Sequence, residues 1–142
     1  MTPDSSPVLY EERDSLAIFT LNRPEKLNTL NEAVIQGIAD AVDRATASAA
    51  VSTIVMRGAG RTFTAGYDLN PGDGRVPPPR RYDAPSVPHR DGAWDPVRDY
   101  MFMGHNMKRF MKLWECPKPV IAQLHGYALG GGTDLLLCAD MI

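Results

Sequence analysis

The run Val120-Ile121-Ala122-Gln123-Leu124-His125-Gly126-Tyr127-Ala128-Leu129-Gly130-Gly131-Gly132-Thr133-Asp134-Leu135-Leu136-Leu137 gives three local instructions in succession. Its first five residues form a short, largely apolar run that predicts a buried strand. The glycines that follow permit a tight turn, and Thr133 to Leu137 reads as the first turns of a helix. An earlier stretch has the same grammar. Thr53-Ile54-Val55-Met56 is a β-branched run ending at Gly58, and Thr64-Ala65-Gly66-Tyr67-Asp68-Leu69 comes after it. In both places small residues stand where a strand is expected to give way to a helix.

Upstream, Val8 to Arg13 and Ser15 to Leu21 read as two strands joined by a short polar hairpin. Asn22-Arg23-Pro24-Glu25-Lys26 is a turn, because Pro24 fixes its own φ and pushes Arg23 out of the helical region. From Asn31, an N-cap, a helix is predicted to about Ala47, with Val34, Ile35, Ile38 and Val42 on one stripe. A strand pair, a helix and another strand indicate mixed α/β packing.

Seven of the 12 prolines fall between Pro71 and Pro96, interspersed with Arg75, Arg80, Arg81 and Arg90. Residues 70–94 are therefore expected to form a long surface loop, either a lid or subunit-contact loop or a plain insertion. Asp95-Pro96 would cap the next helix. That helix, to about Trp114, carries Tyr100, Met103, Met107, Phe110 and Trp114 at spacings of 3, 4, 3 and 4. The stripe is expected to face the core, with Lys108, Arg109 and Lys112 on the other side. The chain stops at Ala139-Asp140-Met141-Ile142, which reads as the opening of another strand. The 142 residues are thus expected to be the N-terminal part of a larger folding unit.

Composition narrows the function. With 15 Lys+Arg against 17 Asp+Glu, the net charge of −2 argues against a nucleic-acid binder. No apolar run approaches a membrane span, and Met1 to Pro7 lacks the pattern of a secretory signal. Cys116 and Cys138 do not make a disulfide framework, so a reduced cytoplasmic setting is expected. His89, His105 and His125 show no metal-ligand spacing with either cysteine, and no metal is expected. Gly130-Gly131-Gly132-Thr133 lacks the lysine of a P-loop, and no G-x-S-x-G elbow exists. What remains is that glycines at 66 and 130–132 either permit tight turns alone or let backbone N–H groups approach a ligand. Two such loops converging would make an anion or oxyanion site.

Three blocks, in order, carry a resemblance. They are Leu21-Asn22-Arg23-Pro24-Glu25-Lys26-Leu27-Asn28-Thr29-Leu30-Asn31, the stretch from Met56 to Leu69, and the stretch from Lys118 to Asp134. Together they resemble the N-terminal half of the crotonase superfamily, the enoyl-CoA hydratase/isomerase family. The resemblance implies an α/β fold built as a spiral of ββα units, here cut before completion. It implies an acyl-CoA or enoyl-CoA substrate, with hydration of 2-enoyl-CoA the expected reaction of the full-length family. No separate cofactor is implied, since coenzyme A is part of the substrate. A homo-oligomer, trimer or hexamer, is implied as well.

By position, the resemblance assigns the thioester oxygen to the backbone amides of Tyr67 and Gly131. Lys26 and Leu27, with Ala65, Gly66, Asp68, Leu69 and Gly130, would line the path of the CoA thioester. An exposed turn lysine is the other reading of Lys26. Fixed N–H donors aimed at a developing enolate oxygen are typically worth about 10²–10³ in rate each. Asp134, three residues past Gly131 and on the same helix face, is the candidate acid/base. Hydratases of the family carry a glutamate there and a second one further along. Aspartate is a methylene shorter, so Asp134 is either that acid/base or a surface or capping carboxylate. The alternative for the whole chain is a catalytically inactive fragment that at most binds acyl-CoA or associates with another chain.

Overall fold

The structure, a computed structural model, describes residues 6–69 and 96–142. The expected loop at 70–94 and its cap Asp95 lie outside the described residues. The elements are β1 (Val8–Arg13), β2 (Leu16–Leu21), a 3₁₀ turn (Pro24–Lys26), α1 (Glu32–Ala47), β3 (Thr53–Gly58), α2 (Pro96–Trp114), β4 (Val120–Gln123) and α3 (Gly131–Leu137).

The strands form one sheet in the order β1-β2-β3-β4, antiparallel between β1 and β2 and parallel thereafter. Asp14 and Ser15 both take positive φ, the conformation that a two-residue hairpin of matching twist needs. This places Ser15 in the turn and starts β2 at Leu16. The core face of the sheet is built in register. Ala17 pairs Ile54, which pairs Val120, and Phe19 pairs Met56, which pairs Ala122. All six are at most 1% exposed. Onto this face α1 lays Val34, Ile35, Ile38 and Val42. Burying each such side chain contributes about 1.5–3 kcal/mol. Asn31 caps α1 as expected, its side chain accepting the Val34 N–H at 3.0 Å.

α2 packs on α1, but not on the predicted stripe. Phe110 is buried, whereas Tyr100 is 79% and Trp114 66% exposed, and Met103 and Met107 are exposed too. The buried ridge is Asn106, Phe110 and Leu113. Two of the basic residues expected to face solvent reach α1 instead. Arg109 bonds Glu32 at 2.7 Å, and Lys112 bonds Asp43. The acidic edge of α1 attracts the basic residues of α2 and so helps set which of two apolar-containing stripes turns inward.

The segments that leave the strands repeat the order of the sheet. Leu30, after β2, bridges Tyr67, after β3, in parallel; Thr64 in turn bridges Ala128, after β4. Each pass of the chain lays its exit loop beside the previous one, which is the ββα spiral in local form. After α3 the chain returns to the sheet, where Met141 bridges Ile121. No helix among the described residues is long and apolar enough to cross a membrane.

Candidate functional site

The loop after β3 is fixed from the side of the β2 exit by a dense set of bonds. Leu27 and Asn28 both take left-handed φ, near 53° and 54°. This turns the Asn28 side chain inward, where it is 1% exposed. Its carboxamide donates to Ala59 O at 2.7 Å and Thr62 O at 3.0 Å, and accepts the Arg23 N–H at 2.9 Å. The Asn28 carbonyl accepts the Thr64 hydroxyl at 2.6 Å. Arg23 donates to the Thr29 carbonyl at 2.7 Å and pairs Asp68 at 2.9 Å, both side chains largely buried. Such a charge-assisted contact is strong because water is excluded from it.

These bonds decide which amides of the loop are free. Ala65 N–H donates to Leu27 O, Gly66 N–H to the Thr64 hydroxyl, and Asp68 N–H to Leu30 O. Leu30 N–H in turn donates to Gly66 O at 2.8 Å. The bridge to Leu30 therefore uses the groups flanking Tyr67, and the Tyr67 N–H turns to the opposite edge. Residues 128–131 run along that edge. Thr64 N–H donates to Tyr127 O there, and Leu129 N–H to Thr64 O. Gly131 opens α3, where the first amides have no acceptor within the helix. Among the described hydrogen bonds neither the Tyr67 N–H nor the Gly131 N–H has an acceptor.

Close approach explains two glycines. Gly66 has φ near +89°, and a Cβ there would stand 2.5 Å from Leu129 O. A Cβ on Gly131 would stand 2.5 Å from Cε2 of the Tyr67 ring. The ring of Tyr67 thus lies directly on the α-carbon of Gly131. Asp134, partly buried and one turn further along α3, adds its charge to this neighbourhood. Burial pushes the Tyr67 phenol above its ordinary value, and the Asp134 carboxylate adds to the rise. Burial likewise raises the Cys138 thiol, again with help from Asp134.

Beyond the ring lies Asn106 of α2. It is 0% exposed, and among the described residues neither polar atom of its carboxamide has a hydrogen-bond partner of normal geometry. The Tyr67 hydroxyl, also buried, has none. The two groups are near enough for Asn106 to favour the phenolate slightly, yet they make no hydrogen bond of normal geometry. Leaving such groups unpaired costs about 1–3 kcal/mol apiece. Arg109 Nη1, on the same helix, is buried and without a hydrogen-bond partner among the described residues.

Of the other residues singled out by sequence, Lys26 is exposed, Leu27 half-buried and Leu69 89% exposed. The Asp68 side chain is held by Arg23. Gly130, with φ near +49°, accepts from the Thr133 and Asp134 N–H groups. His125 bonds Gly60 O at 2.9 Å; His89 lies outside the described residues. No cluster of metal-ligating side chains occurs among the described residues. Three features escaped the sequence reading: the role of Asn28, the Arg23–Asp68 pair as a unit, and Asn106. Only Asn106 had a usable signal, since 106, 110 and 113 are themselves spaced 4 and 3.

A mixed, largely parallel β–α sheet with stacked exit loops defines a class, and comparison with known proteins identifies it. The enoyl-CoA hydratase/isomerase family model matches residues 11–142, and the chain belongs to that family. The mitochondrial Delta(3,5)-Delta(2,4)-dienoyl-CoA isomerase of Mus musculus is 35% identical over 121 residues, 85% of this chain and 35% of that protein. A probable enoyl-CoA hydratase of Mycobacterium leprae is 33% identical over 134 residues, 94% of this chain and 42% of that protein. The crystal structure of an enoyl-CoA hydratase from Mycobacterium smegmatis matches with a TM-score of 0.76 at 33% identity, covering 94% of this chain and 45% of that one. The chain therefore spans less than half the length of these relatives.

Proposed function

We infer that this chain supplies the part of an enoyl-CoA hydratase/isomerase that grips the thioester oxygen of an acyl-CoA while that oxygen carries enolate charge. The observation that carries the reading is the pair of uncommitted amides. Tyr67 N–H is turned to the edge where Gly131 begins α3, the two residues touch, and neither donor is used within the described fold. Donors already in place need no reorganisation as charge develops, which is why each is worth about 10²–10³ in rate.

Asp134 is the group for proton transfer, placed one helical turn from Gly131 and close enough to act on the Tyr67 phenol. In the hydration reading its carboxylate takes a proton from a water whose oxygen bonds the β-carbon of the 2-enoyl thioester, and returns that proton to the α-carbon as the enolate collapses. In an isomerisation it removes a proton next to the conjugated system. Hydration is the leading assignment. Lys26 and Leu27, with the loop from Ala65 to Leu69 and Gly130, form the proposed thioester path.

The test is turnover of trans-2-enoyl-CoA, followed by loss of enoyl absorbance, in the protein and in Asp134→Ala. The expected result is a drop in kcat of about 10²–10⁴ in the variant with KM little changed. Unchanged kcat would remove Asp134 from the chemistry. Tight binding of a CoA thioester to the unaltered protein without turnover favours the second reading, a chain that binds acyl-CoA and does not catalyse.

A further inference from the structure

We propose that the Tyr67 hydroxyl and the Asn106 carboxamide form an acyl-binding subsite that selects thioesters bearing a neutral hydrogen-bonding oxygen beyond the reacting carbons. The proposal rests on the thioester reading above and adds a substrate class to it.

Three polar atoms define the subsite: Tyr67 Oη, Asn106 Nδ2 and Asn106 Oδ1. All are buried, and among the described residues none makes a hydrogen bond of normal geometry. Buried polar groups in folded proteins are paired in the great majority of cases, so three orphans in one place call for a function. The position gives it. Asn106 stands on the inward ridge of α2 beside Phe110 and Leu113, where an apolar residue would serve packing alone. Tyr67 is the residue whose N–H is free at the thioester position, and its ring runs over Gly131, the other donor. An acyl group leaving that position follows the ring, and the hydroxyl lies one ring length along it. A plain hydrocarbon chain there would offer these atoms no partner beyond the ill-aligned contact they make with one another. An oxygen can accept from the phenol or from the Asn106 amide, and a hydroxyl can also donate to Oδ1. The nearby Asp134 carboxylate opposes a second negative charge, which favours a keto or hydroxyl group over a carboxylate.

Calorimetry with three CoA thioesters of equal chain length tests this: hexanoyl-, 5-oxohexanoyl- and 6-hydroxyhexanoyl-CoA. The unaltered protein is expected to bind an oxygenated thioester about tenfold more tightly than hexanoyl-CoA. Tyr67→Phe, which removes only the hydroxyl, and Asn106→Leu should each bring that ratio towards one. Equal binding of all three by the unaltered protein overturns the subsite and leaves the thioester reading standing. A preference that survives in both variants also overturns it. Should Asn106→Leu fail to fold, Tyr67→Phe and the unaltered protein still decide. Binding of none of the three removes the thioester reading, and the subsite with it.

Discussion

Asn28 and Asn106 are both almost fully buried; the first bonds the loop that carries Tyr67, and the second lies near its hydroxyl. The first is bonded to two carbonyls and an amide, and stitches the β2 exit loop to the β3 exit loop. The second makes no hydrogen bond of normal geometry among the described residues. A buried amide with all its partners stabilises one loop geometry, whereas one without partners lowers stability until something supplies them. The contrast separates scaffold from recognition surface around a single residue: the backbone of Tyr67 is fixed by the first side, and its phenol faces the second.

The same change of residue should therefore have opposite signs at the two positions. Asn28→Leu is expected to destabilise by about 4 kcal/mol, since it orphans buried carbonyls and forces leucine into a left-handed φ. Urea unfolding measures this, and a cost below about 1 kcal/mol would mean that the seam does not hold the loop. Asn106→Leu, nearly equal in shape, is expected to stabilise by about 1–2 kcal/mol in the same experiment. A destabilisation matching that of Asn28→Leu would erase the contrast.

The smallest effect is electrostatic. The hydrogen bond from Arg109 is the main cause holding the Glu32 carboxyl below its ordinary value, against the opposing effect of burial. A depressed carboxylate contributes stability above its unfolded value, and loses it as pH falls through the folded one. Glu32 is largely exposed, so the pair is worth at most about 0.5 kcal/mol. Glu32→Gln should flatten the acid limb of the stability curve by that amount, with no change near neutrality beyond it. A larger shift would mean that α2 depends on this pair for its seating.

Much of the architecture was legible locally. The hairpin at Asp14-Ser15, the turn at Pro24, the Asn31 cap and the stripe of α1 follow from residue chemistry acting over a few positions. Both strands that precede glycine loops were readable for the same reason. The orientation of α2 was not. Its sequence holds two stripes with apolar residues, 100-103-107-110-114 and 106-110-113, and a period of 3.6 cannot rank them. The acidic residues Glu32 and Asp43 of α1 favour the second stripe by drawing Arg109 and Lys112 towards them. Similarly, Tyr67 and Gly131 could be picked out as loop residues, but their contact depends on Gly66 and Gly131 each lacking a Cβ where another chain segment passes.

By itself the sequence determined the elements, their order, the family and the residues worth watching, because capping, turn chemistry and side-chain period act within one stretch of chain. Only the tertiary structure decided that Asn28 is satisfied and Asn106 is not, that Arg23 pairs Asp68, and that one amide in the loop is left uncommitted. Those are outcomes of which groups meet across tens of residues, and a buried polar atom takes its meaning from the partner that packing brings to it or withholds.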